Sequence, residues 1–81
     1  MSEHEKALKR LQSHPTDFTW AELKSLMQVF GYELKVTGGS GRKFVRPEAA
    51  FMIHAPHPRK LLKAHQVRAV LEFLKKEGHI Q

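Results

Sequence analysis

Two segments of the 81-residue chain gather side chains that can move a proton or hold an anion. In His54-Ala55-Pro56-His57-Pro58-Arg59-Lys60, two prolines restrict the backbone so that His57 is held extended, and no helix or strand accounts for a histidine there. An imidazole titrates near neutral pH, as a general acid or base requires, and Arg59 and Lys60 add positive charge beside it. Lys63 and His65 follow at the start of a helix, where cations are slightly unfavourable unless an anion docks at the unpaired N–H groups. The second segment is Gly38-Gly39-Ser40-Gly41-Arg42-Lys43. Glycines let backbone N–H groups approach an anion, and the arginine fork matches phosphate oxygens. It lacks the spacing and the Lys-Ser/Thr ending of a nucleotide-binding P-loop, and a plain hairpin turn is its other reading.

Other chemistries fit less well. His54 and His57 are three apart with His65 nearby, but no acidic residue or cysteine lies between positions 49 and 71 to complete a metal site. No metal or other cofactor is expected. Ser40 lacks an evident carboxylate to orient a histidine for nucleophilic catalysis. His65 shares a helix face with Arg68, Glu72 and Lys76 and is expected in solvent, while His4, His14 and His79 carry no particular signal.

The elements that must position these segments follow from caps and periodicity. Ser2 and Glu5 have capping-box spacing ahead of Ala7, Leu8 and Leu11, which predicts a short helix over 3–12, ended by His14-Pro15. Thr19 and Glu22 form a second capping box, Phe18 and Leu23 a hydrophobic staple, and Gly31 a stop. Trp20, Leu23, Met27 and Phe30 give that helix a buried stripe. Tyr32, Leu34 and Val36 then alternate with polar residues, as in a strand with one face covered. Arg42–Arg46 and Ala49–His54 read as two further strands, and the short loops between the three require an antiparallel meander. A last helix over about 64–77 carries Val67, Val70, Leu71 and Leu74 inward and stops at Gly78. The expected fold is α+β: a three-stranded antiparallel sheet in the order α-α-β-β-β-α, with helices on one face and the other face left open.

Composition narrows the classes of function. A chain of 81 residues makes one small domain that buries only about 60% of its unfolded surface, so a deep cavity for a small-molecule substrate is not expected. The absence of cysteine excludes disulfides and thiolate metal sites and is compatible with a reducing cytoplasm. With no apolar run near the ~20 residues of a membrane span, and with an acidic, polar start, the chain reads as soluble and cytoplasmic. Its 14 Lys and Arg against 8 Asp and Glu give a formal charge of +6, and the whole excess lies after Gly31. Such a surface suits a polyanion, either nucleic acid or an acidic protein.

The helix ending in Phe30-Gly31, the Gly39-Ser40 turn leading into a strand, the strand ending at His54-Ala55-Pro56-His57-Pro58, and the amphipathic helix closing on Gly78 together resemble the HicA toxins. The resemblance covers about residues 16–81, with residues 1–14 as a helical extension of a single domain. It implies a double-stranded-RNA-binding-like fold, cleavage of mRNA, and neutralisation by a HicB antitoxin. The family usually carries a catalytic histidine just after the Gly-Ser turn, where this chain has Gly41 and Arg42. Arginine stays protonated and cannot act as a base. The resemblance therefore leaves His57, or His54, as acid or base, with Arg42 stabilising charge on the phosphate. Ser40, Lys43, Arg46, Arg59, Lys60 and Lys63 are the expected RNA-binding residues. Two rival readings are a non-catalytic RNA-binding module of the same fold and a purely protein-binding partner of an acidic protein.

Overall fold

A computed structural model describes residues 3–39, 41–55 and 61–80. The element order is α1 (Glu3–Gln12), α2 (Trp20–Val29), β1 (Glu33–Gly38), β2 (Gly41–Arg46), β3 (Ala49–His54) and α3 (Ala64–Lys76). The strands form one antiparallel sheet in the order β1-β2-β3, the expected meander.

Local chemistry accounts for the helix boundaries. Thr19 Oγ1 accepts from the Glu22 N–H at 3.0 Å, and Glu22 Oε1 accepts from the Thr19 N–H at 3.1 Å, so the capping box starts α2 as its spacing predicts. The other oxygen of the same carboxylate accepts from Arg10 Nη1, which ties α1 to the start of α2. Arg10 Nη2 also donates to the Asp17 carboxylate at 2.6 Å and to the Asp17 carbonyl at 2.9 Å, and the guanidinium lies 5.4 Å from the Phe18 ring centre. The hydrogen bond to Glu22, ahead of the charge of Asp17, pushes the guanidinium pKa above its ordinary value. At the far end of α2, Gly31 takes a positive φ of 90°, and Tyr32 N donates back to the Met27 carbonyl at 3.0 Å. His14 adopts φ 55° ahead of Pro15, where α1 has ended. Ser2, the first half of the capping box predicted for α1, lies outside the described residues.

All three helices and one sheet face share a single core. Leu11 of α1, Leu23, Leu26 and Met27 of α2, Val67, Val70 and Leu74 of α3, and Phe44 and Ile53 of the sheet are buried together with Phe18, Tyr32 and Leu62. Leu34, Phe44 and Phe51 stand opposite one another across the strands on this inner face. The alternation predicted for β1 holds, but the burial does not extend along it: Val36 remains 70% exposed. It lies near the glycine-turn end of β1, opposite Arg42. Packing, rather than strand periodicity, sets that limit.

A second cluster binds the end of the chain to the sheet. Gly78 takes φ 80° after α3 and His79 N donates to the Leu74 carbonyl at 2.9 Å. The His79 ring stacks on Phe30 at 4.5 Å, and its Nε2 lies 3.0 Å from the Tyr32 hydroxyl and 3.3 Å from Arg46 Nη1.

Candidate nucleic-acid interface

Strand register brings the glycine turn and the strand end at His54 to the same end of the sheet. Gly38 pairs with Gly41, and Gly41 pairs in turn with His54. The turn is specific to glycine at two kinds of position. Gly38 and Gly39 have φ of 130° and 50°, a region that side chains resist. Gly41 is constrained instead by space: a Cβ there would run into Thr37 Oγ1 and lie 3.1 Å from the Gly38 carbonyl oxygen.

Successive residues of a strand point to opposite faces, and this separates the two cations that follow the turn. Arg42 shares its side of β2 with Phe44, the helix-covered side, and sits opposite Val36 and Ile53. Its Nη1 donates to the carbonyls of Gly39 at 2.9 Å and Gly41 at 2.8 Å, so the guanidinium is folded onto its own turn. Lys43 lies on the open face, in a row with Lys35 and Met52. Met52 is 66% exposed, and His54, two residues farther along β3, shares that face. The open face thus offers two neighbouring ammonium groups, a methionine and an imidazole. Lys35 also pairs with Glu33 at 3.3 Å.

The remaining expected residues fall in three groups. Lys63 is exposed at the N-cap of α3. Arg46 faces the core side: it pairs with Glu48 at 2.9 Å, lies 5.4 Å from the Tyr32 ring centre and approaches His79, so its charge is already engaged. Ser40, His57, Arg59 and Lys60 lie outside the described residues. His65 is exposed, as its helix face predicts.

Two residues that carried no chemical signal in the sequence take part in long-range contacts. His79 closes the Tyr32 cluster, and Gln66 joins the end of β3 to the start of α3. Gln66 Nε2 donates to the His54 carbonyl at 2.9 Å, and its Oε1 accepts from the Lys63 N–H at 3.0 Å. The Gln66 spacing from Lys63 is that of half a capping box, a cue readable in principle; nothing comparable marks its link to His54.

Among the described residues there is no cluster of three or more His, Asp or Glu side chains that could hold a metal ion. No described helix is long and apolar enough to cross a membrane. An open groove of about 730 Å³ runs between α1 and α2, lined by residues such as Ala7, Leu26 and Val29, and includes none of the expected site residues.

A family model described as the HicA toxin of bacterial toxin–antitoxin systems matches residues 20–76, more than half of the chain. No curated protein and no solved structure gives a significant match.

Proposed function

Because the chain belongs to the HicA toxin family of bacterial toxin–antitoxin systems, we propose that it is an endoribonuclease that cuts mRNA without a metal ion and is neutralised by a HicB-like antitoxin. The observation that carries the reading, beside family membership, is the pairing of Gly41 with His54, which sets a cationic glycine turn next to an imidazole-bearing strand end. In the reaction, a ribose 2′-oxygen attacks the adjacent phosphorus while the bond from phosphorus to the 5′-oxygen breaks. The products are a 2′,3′-cyclic phosphate and a 5′-hydroxyl. A base accepts the 2′-hydroxyl proton and an acid supplies one to the leaving oxygen, roles assigned to His57 and His54. Arg42 stabilises negative charge at the phosphate beside the turn. Lys43, on the open face that it shares with His54, contacts the phosphate backbone, and Ser40, Arg59, Lys60 and Lys63 extend these contacts. Arg46, committed to Tyr32 and Glu48, is left out of the binding set.

Purified protein incubated with single-stranded RNA provides the test. Wild type is expected to cleave it in the presence of a chelator and to arrest growth when expressed. His57→Ala and Arg42→Ala should each lower cleavage by about 100-fold or more. Intact RNA and harmless expression of wild type would remove the enzymatic reading. The arginine in place of the usual histidine favours a second reading, a binding module that has lost catalysis. Salt-sensitive RNA binding without cleavage selects it.

A further inference from the structure

We infer that Gln66 is a positioning residue of the ribonuclease site, acting through His54; the inference rests on the reading just given. The strand ladder ends at the Gly41–His54 pair. The His54 carbonyl there accepts a hydrogen bond from Gln66 Nε2, from twelve residues away on α3. The same amide accepts the Lys63 N–H through Oε1. One side chain thus holds the last residue of β3 and the N-cap of α3 at a fixed separation.

The side-chain chemistry is particular to glutamine here. The link needs one acceptor and one donor on a planar group, at a reach that asparagine lacks. Glutamate keeps the acceptor for Lys63 but has no N–H for the His54 carbonyl. A second anchor acts farther along: Leu62 is buried and its N–H donates to the Phe18 carbonyl at 2.9 Å, while Leu61 bridges to Thr19. That anchor joins the segment to the start of α2, while Gln66 acts at the β3 end. An imidazole at the end of a strand is exposed to fraying, and misplacing a proton-transfer group by about 1 Å can cost on the order of 100-fold in rate. Holding the His54 peptide against α3 limits that displacement.

The experiment measures kcat and KM for a short RNA oligonucleotide with wild type, Gln66→Met, Gln66→Glu, His54→Ala, and Gln66→Glu combined with His54→Ala. Gln66→Met removes both hydrogen bonds and Gln66→Glu only the one to His54. Each single Gln66 variant is expected to lower kcat by about 10-fold or more with KM changed by less than about 2-fold. Adding Gln66→Glu to His54→Ala should cost little further, because the two act on the same group. Thermal unfolding of Gln66→Glu should stay at the wild-type temperature. If wild type cleaves and Gln66→Glu matches it, or loses the same factor in the His54→Ala background, the positioning role is wrong while the ribonuclease reading stands. A loss of kcat that only follows a lowered unfolding temperature also overturns it. If wild type itself leaves RNA intact, the ribonuclease reading falls and takes this role with it.

Discussion

A methyl group at position 41 has no room: it would meet Thr37 Oγ1 and crowd the Gly38 carbonyl. Gly41→Ala is therefore expected to cost about 1–3 kcal/mol through overpacking. For a domain of this size, that lowers the unfolding temperature by roughly 4–8 °C per kcal/mol, measurable by calorimetry. The same crowding means that β2, as it is built, admits no imidazole at its first residue. The next position, Arg42, enters on the helix-covered side and turns back to two turn carbonyls. A histidine at position 41 would need a different backbone there. At the same scale, Lys43 and Arg42 differ by one residue and one sheet face, a separation that their adjacency in sequence conceals.

Between elements, the contacts that matter join α3 and its exit to the sheet. The hydroxyl of Tyr32 lies in a half-buried cluster with Arg46 and His79, and burial raises its pKa despite the opposing charge of Arg46. In the unfolded chain this tyrosine ionises near pH ~10. In the folded protein it keeps its proton to higher pH. The unfolded state therefore releases the proton first, so stability is fully retained below that pH and falls as pH rises through the folded value. Tyr32 is the chain's only tyrosine, so its tyrosinate absorbance reports the titration directly. Tyr32→Phe is expected to flatten the alkaline fall in stability; an unchanged slope would assign it to other groups. Little of this cluster was legible beforehand. The caps and stripes of α2 and α3 are local and can be read, because Thr19–Glu22 and Val67–Val70–Leu74 fall within a few residues of each other. Tyr32 and His79 are 47 residues apart, and His54 and Gln66 meet only because α3 returns across the end of β3. Val36 has the right alternation for a buried face, but periodicity does not say how far the helices extend over it.

Over the whole molecule, the charge excess and the open sheet face coincide in part. Lys35 and Lys43 stand side by side on that face, whereas Lys6 and Lys9 belong to α1, in the charge-balanced part of the chain. If RNA lies across the sheet, Lys43→Ala should reduce the slope of log affinity against log salt by about 0.7, the effect of one phosphate contact with a single strand. Lys6→Ala and Lys9→Ala should leave it unchanged. The converse result, measured by titration at several salt concentrations, would move the binding surface to α1.

The helix that precedes the family match contributes to the core through Leu11 and holds the start of α2 through Arg10, which shares its partner carboxylate with the α2 cap. What is recognisable by descent and what folds together are thus different lengths of chain. The family match begins at Trp20, while the packed core reaches back into α1. A change in this upstream helix can therefore alter the conformational stability of the whole core, and give the protein a means of varying its tolerance to heat without altering the side chains of the open sheet face.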